Sequence, residues 1–226
     1  STRLGRNGDG IRHFMGTSTF AEATVMPEIA LAKVDPEAPL DVVCTLACGA
    51  TTGIGAALYI AKVEAGSTCV VFGAGLVGLG AVAGHARAQG ATDTLAGGPD
   101  TVERILEMTG GFGADYTFEA TGSVAVMRQA VESARMGWGL CTIAGVAGKG
   151  EVLEVVPRFL ITGRRIAGAS FGGAKGRDRV PELVETYMSG DLDLESLVTR
   201  RIALDEVNVA FEAMERQEGI RTVITY

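Results

Sequence analysis

Gly73, Gly75 and Gly78 stand in the stretch Gly73-Ala74-Gly75-Leu76-Val77-Gly78, the spacing G-x-G-x-x-G. The run before it, Cys69-Val70-Val71-Phe72, is β-branched and aromatic, and small residues follow it to about Gln89. Strand, glycine turn and helix in that order is the context in which this spacing binds a dinucleotide. Gly73 permits the tight turn, Gly75 lets a pyrophosphate reach the backbone, and Gly78 lets the helix pack on the strand. The helix N-terminus adds free N–H groups and a partial positive charge. An acid about 20 residues on should close the next strand and take the ribose hydroxyls. Asp93 and Asp100 bracket that distance, but neither ends a convincing strand. Asp93 reads as a turn residue and Asp100 as a helix cap. The competing reading is a glycine turn that binds nothing.

The other reactive side chains are four cysteines, Cys44, Cys48, Cys69 and Cys141. No C-x-x-C pair occurs, and three of the four sit in apolar runs. A disulfide framework would be denser and lie in loops. The expectation is three buried thiols.

The elements that must position these groups alternate. Strands are expected at 69–72, 94–96, 114–120, 140–146 and 165–171. Helices are expected after Gly73, from Asp100-Thr101-Val102-Glu103 (a capping residue with an acid three positions on), and over 124–135. That alternation implies a parallel, doubly wound α/β sheet. Residues 19–26 alternate weakly and read as a strand. Two helices near 181–188 and 205–217 and a strand at 222–226 close the chain.

Composition bounds the function. The 226 residues carry 20 Lys+Arg against 27 Asp+Glu, a net charge of −7, with no basic cluster, which argues against nucleic acid as a partner. Apolar residues are 47% and charged ones 21%, which excludes intrinsic disorder. Glycine, 32 of 226, is in excess without a collagen period and points to tight turns or close backbone approach. Residues 42–61 and 65–84 are uncharged and long enough to span a bilayer, and Gly80 and Gly84 form a G-x-x-x-G. Their glycines and threonines fit a buried strand, turn and helix better, so no membrane span is expected. No signal peptide is visible, and a cytoplasmic protein is expected; no initiator Met is present, which leaves open whether the protein starts further upstream.

Several further motifs occur in a fixed order: Met15-Gly16-Thr17-Ser18-Thr19-Phe20, Ala47-Cys48-Gly49-Ala50-Thr51-Thr52-Gly53-Ile54-Gly55, Gly137-Trp138-Gly139, Thr162-Gly163-Arg164, Phe171-Gly172-Gly173 and Ile220-Arg221-Thr222. With the glycine turn they resemble, over essentially the whole chain, the zinc-dependent alcohol dehydrogenases of the medium-chain dehydrogenase/reductase superfamily. The likeness is to class III, the S-(hydroxymethyl)glutathione (formaldehyde) dehydrogenases. The resemblance implies a Rossmann-type sheet with remnants of a GroES-like catalytic domain. Residues 1–49 would be the end of the first catalytic segment, 50–170 the NAD-binding domain, and 171–226 the catalytic return segment.

The resemblance also implies roles. Cys48 matches one of three protein ligands of a catalytic zinc whose set is Cys₂His. Thr52 and Val77 match residues packed on the nicotinamide. Backbone groups of Ala144, Ala169 and Phe171 match those that hold its carboxamide, and Arg221 matches an arginine on the pyrophosphate. The strand matching 166–171 pairs across a dimer axis, so a homodimer or homotetramer is expected. The cofactors would be NAD and zinc, and the substrate a primary alcohol or a hydroxymethylglutathione adduct. Zinc lowers the alcohol's pKa, and hydride passes to NAD.

The departures are as specific. The family's other zinc ligands, its structural zinc lobe and its proton-relay hydroxyl are missing. About twenty residues carrying the second Rossmann strand and its acid are missing near 91–92. Met136 stands where class III has a lysine for glutathione's carboxylates, which weighs against that adduct. The 226 residues alone are therefore expected to lack dehydrogenase activity and to hold cofactor weakly. The alternative is a catalytically incompetent dinucleotide-fold module that binds or dimerises.

Overall fold

The computed structural model describes residues 4–11, 17, 19–86 and 91–226, the side chains of 4 and 82–86 excepted. Met15, Gly16, Ser18, Gln89 and Gly90, which belong to the motifs and helix end above, lie outside the described residues.

A short hairpin, β1 (Leu4–Arg6) and β2 (Asp9–Ile11), is followed by irregular chain. Then come α1 (Leu40–Val43), a 3₁₀ turn over Cys44–Ala47, and α2 (Gly49–Gly55), which continues as a π-helix over Ala56–Ala61. The central sheet is parallel. Its strands β3 (Cys69–Phe72), β4 (Tyr116–Glu119), β5 (Leu140–Ile143) and β6 (Arg165–Gly168) lie in sequence order. Registers Cys69 to Tyr116, Tyr116 to Leu140 and Leu140 to Arg165 bring the carboxyl ends of the strands to one crest. The helices between them are α3 (Leu76–Ala86), α4 (Thr101–Met108), α5 (Val124–Ser133) and α6 (Pro157–Ile161). The return segment holds α7 (Gly176–Met188), β7 (Val198–Ile202), α8 (Val207–Glu215) and β8 (Arg221–Ile224), with β7 and β8 parallel.

Alternation along the strands separates the two faces of the sheet. Val71, Phe118 and Leu140 face a cluster with Ala56, Ala57, Ala61 and Ala81. Val70, Phe72 and Cys141 face Ile105, Ala130 and Val131 of α4 and α5. Helices therefore cover both faces, the three-layer arrangement that buries a parallel sheet. A third cluster joins Val42, Leu46 and Ile54 to Leu76 of α3 and to Leu183 and Val184 of α7.

Glycine lets α2 and α3 cross at backbone contact. A Cβ on Gly53 would lie 2.0 Å from the Val77 carbonyl oxygen. This accounts for the uncharged, glycine-rich runs without a bilayer. Among the described residues no single helix is long and apolar enough to cross a membrane. The pair Leu40–Ala47 and Gly49–Ala61 reaches that length together, but it bends by 59°, and Leu46, Ala50, Ile54 and Ala57 are buried in it.

Three expectations are corrected. Residues 19–26 form no strand: Phe20 packs on Phe211 at 6.1 Å between ring centroids, and the Thr19 carbonyl accepts a hydrogen bond from the Tyr226 hydroxyl. Residues 94–96 form no strand either. Leu95 packs against the cluster that holds Phe72, Ile105 and Val131, and Gln129 Nε2 donates to the Gly98 carbonyl at 2.9 Å, so side chains rather than a ladder hold the segment. Among the described residues the edge of β3 away from β4 pairs with no strand. Asp100 does occupy the N-cap of α4, but its side chain makes no capping hydrogen bond; Thr101 Oγ1 takes the Gly98 N–H at 2.8 Å instead.

Candidate dinucleotide site at the crest of the sheet

The turn after β3 has the geometry its glycines imply. Gly73 sits at φ +105°, a conformation that L side chains rarely adopt. A Cβ on Gly78 would lie 1.9 Å from the Gly73 carbonyl oxygen, so the first turn of α3 packs on the strand only without a side chain there. Above Gly75 the space is open: a Cβ there would meet nothing within 4 Å. Leu79 N–H bonds the Gly75 carbonyl at 2.9 Å, which starts the helix, whose first N–H groups have no partner within it. Val77 is half-buried in its first turn.

Cys48 lies between the 3₁₀ turn and α2, with φ −153° and ψ −80°, and is exposed. Its carbonyl accepts the Thr52 N–H at 2.9 Å, and Thr52 is buried. The expectation of three buried thiols fails. Cys141 is buried, Cys69 is intermediate, and Cys44 and Cys48 are exposed. Val42, Val43, Thr45 and Leu46 face inward, Cys44 falls on the outer side of that segment, and Cys48 sits at the non-helical break before α2. Desolvation nevertheless raises the Cys44 thiol, with the Arg221 charge pulling it down. Among the described residues no group of three His, Cys, Asp or Glu side chains could hold a metal ion. His13 and the His85 side chain are outside the described residues. One thiol does not fit a Cys₂His zinc site.

The three residues matched to carboxamide binding lie along the ends of β5 and β6. Ala144 N–H bonds the Glu119 carbonyl at 2.8 Å and Ala169 N–H the Ile143 carbonyl at 2.9 Å. Their N–H groups are thus committed to the sheet, and the Ala169 carbonyl accepts the Gly172 N–H at 3.2 Å. Phe171, at φ 49° and ψ 31°, occupies the left-handed region in a 3₁₀ turn packed on α2, where a Cβ on Gly172 would lie 2.6 Å from the Thr51 carbonyl oxygen. A non-glycine residue held there is a strained position of the kind found at ligand sites. The fold therefore brings Thr52, Ala169 and Phe171 together through this contact. Arg221 is exposed at the start of β8, and its neighbour Ile220 packs on the cluster that contains Leu76 of α3. Arg201 steadies this side by bonding Asp41 and Glu195, each at 2.7 Å.

One buried group at the crest went unread in the sequence. Glu119, the last residue of β4, is fully buried. An acid closing the run Tyr116-Thr117-Phe118 is the signal that points to it.

A family model described as zinc-binding dehydrogenase matches residues 53–189. Over its whole length, across 250 aligned positions, the chain is 44% identical to S-(hydroxymethyl)glutathione dehydrogenase of Escherichia coli O1:K1 / APEC, and it covers 67% of that protein. The same figures hold for the protein of that name in Shigella sonnei (strain Ss046). Among solved structures it is similar to an alcohol dehydrogenase zinc-binding domain protein from Burkholderia ambifaria. That match has 30% identity and a TM-score of 0.84 and covers 96% of this chain and 64% of the other. Benzyl alcohol dehydrogenase from Acinetobacter calcoaceticus matches at 28% identity and a TM-score of 0.75, over 85% and 59%. The chain thus spans about two thirds of the length of these relatives. The 250 aligned positions also exceed its 226 residues, so the E. coli protein carries residues with no counterpart here.

Proposed function

The chain belongs to the zinc-binding dehydrogenase family of the medium-chain superfamily, and from that premise we propose that it is the cofactor-holding part of an NAD-dependent dehydrogenase. The substrate class is a primary alcohol or an S-(hydroxymethyl)glutathione-type adduct. The observation that carries the proposal is the open space above Gly75 at the start of α3, with Gly78 packed on Gly73 beneath it. The named relatives support the substrate class.

In this reading the pyrophosphate lies over Gly73, Gly75 and Gly78, against the helix N-terminus, with Arg221 as its cationic partner. Thr52 and Val77 pack on the nicotinamide, and Ala144, Ala169 and Phe171 hold its carboxamide through backbone groups. NAD, when bound, supplies the hydride acceptor. The buried wall from α2 keeps water from one side of that ring. Residues 1–49 and 171–226 belong to the catalytic unit and 50–170 to the NAD-binding unit. Cys48 is the thiol that the resemblance assigns as a zinc ligand. Because it does not make a site by itself, the 226 residues alone are inactive as a dehydrogenase.

A second reading has one observation in its favour. Strand β6 is an edge of the sheet, carries no Pro, and leaves Arg165 and Ile166 exposed. Such an edge can pair with another copy, so the chain would serve as a dimerisation module. Intact mass and zinc content of the native protein separate the two. A chain of about 40 kDa with bound zinc, the length of a two-domain enzyme, supports the dehydrogenase. A zinc-free chain of 23.4 kDa supports the module.

A further inference from the structure

The Glu119 carboxyl is completely buried, and none of the roles above uses it. Its Oε1 accepts three hydrogen bonds: from the Thr121 N–H at 2.7 Å, the Thr121 hydroxyl at 2.5 Å and the Gly122 N–H at 2.9 Å. Its Oε2 has no hydrogen-bond partner and lies against Gly145, where an added Cβ would come within 2.5 Å of it. The main chain of the same residue works on the neighbouring strand. The Glu119 carbonyl accepts from the N–H groups of Ala144 at 2.8 Å and Gly145 at 3.0 Å. On the other side, the Thr121 methyl would lie 3.0 Å from a Cβ on Gly73. One residue thus ties together the turns that leave β3, β4 and β5.

We propose that Glu119 is a positioning residue for the cofactor: it sets the spacing of the three turns on which the dinucleotide lies, and so its affinity, without touching it. The proposal rests on the dinucleotide reading above. A buried carboxylate is tolerated only where donors satisfy it, and bonds to it are stronger than those between neutral groups. An apolar side chain of similar size would strand the Thr121 and Gly122 N–H groups without an acceptor. Those N–H groups would then have to reach water, and the turn would move away from Gly73 and Gly145. A purely structural role would lower stability and leave the affinity of the folded protein unchanged. A positioning role moves the affinity in protein that is still folded.

The test uses the 226-residue chain, NADH fluorescence titration, thermal unfolding and amide hydrogen exchange without cofactor. In the wild type the Thr121 and Gly122 amides should be protected about a hundredfold over exposed loop amides, as buried bonded groups are. Glu119→Leu should raise the NADH Kd about tenfold or more below its unfolding midpoint, the scale of a lost buried acceptor. Glu119→Gln keeps an acceptor oxygen and should stay within about threefold. Thr121→Val removes the hydroxyl donor to Oε1 without crowding the turn and should weaken NADH in the same direction, which keeps the test alive if the leucine variant does not fold. An unchanged Kd in Glu119→Leu or Thr121→Val, or fast exchange of both amides in the folded wild type, overturns the proposal. No NADH binding by the wild type overturns the cofactor reading and this role with it; protected amides would then show the tie among the turns on its own.

Discussion

A Cβ on Gly78 would lie 1.9 Å from the carbonyl oxygen of Gly73. No side-chain rotation relieves that contact, because one partner is backbone and the other would be fixed to α3. Gly78→Ala must therefore push α3 off β3. We expect a loss of about 1–3 kcal/mol in denaturant unfolding, the range for overpacking. An unchanged midpoint would mean that the helix is free to shift.

Trp138, the chain's single tryptophan, donates its indole N–H to Asp115 Oδ1 at 3.1 Å. Desolvation raises the Asp115 carboxyl, but the Thr68 N–H and hydroxyl, the Trp138 N–H and the Arg135 charge outweigh it and hold it below the usual carboxylate range. A carboxyl depressed in the fold stabilises above its unfolded pKa, and that contribution is lost as pH falls through the folded value. Trp138 emission should therefore change in an acid transition below the ordinary aspartate range. Asp115→Asn should abolish the transition, and its persistence in that variant would assign it elsewhere.

Thiol labelling tests the placement of the cysteines. Cys44 and Cys48 are exposed and should react with a disulfide reagent in the folded protein, while buried Cys141 should wait for unfolding. Burial pushes the thiols of Cys69 and Cys141 up to about 11. A raised thiol favours the protonated fold, so this contribution is complete below the ordinary value of 9.0 and is lost as pH rises toward about 11. Stability should decline across that interval, and Cys141→Ala should flatten the decline.

The exposed edge of β6 makes a prediction about assembly. Ile166 is exposed there and pairs in register with Cys141 on the inner side. If this edge joins two copies, Ile166→Lys should shift sedimentation from dimer toward monomer, since a lysine on an edge strand opposes pairing. A wild type that is monomeric at high concentration would remove the dimerisation reading.

What was legible in the sequence was local. β3 occupies Cys69–Phe72 as its β-branched run implies, and the turn falls at Gly73 because that residue needs φ +105°. The later strands begin near the expected residues but end sooner, at Glu119, Ile143 and Gly168, where the chain turns across the crest. Long-range pairing was not legible. Residues 94–96 have strand composition but no ladder partner, and Leu95 is held by packing on the α4–α5 side of the sheet. Burial of the cysteines failed for a related reason, since an apolar run does not say which side of its helix meets the core. Glu119 escaped because its three donors, on Thr121 and Gly122, are set by the conformation of the turn after β4, which residue types alone do not specify.

NADH titration of the wild type against Gly75→Val tests the cofactor site most directly. A Cβ at Gly75 would meet nothing within 4 Å, and the variant is expected to fold with an unfolding midpoint close to the wild type's. Its side chain would fill the space assigned to the pyrophosphate. The prediction is saturable NADH binding by the wild type and at least a roughly tenfold loss in the variant. Equal affinity in the two proteins, both folded, would contradict a dinucleotide at this turn.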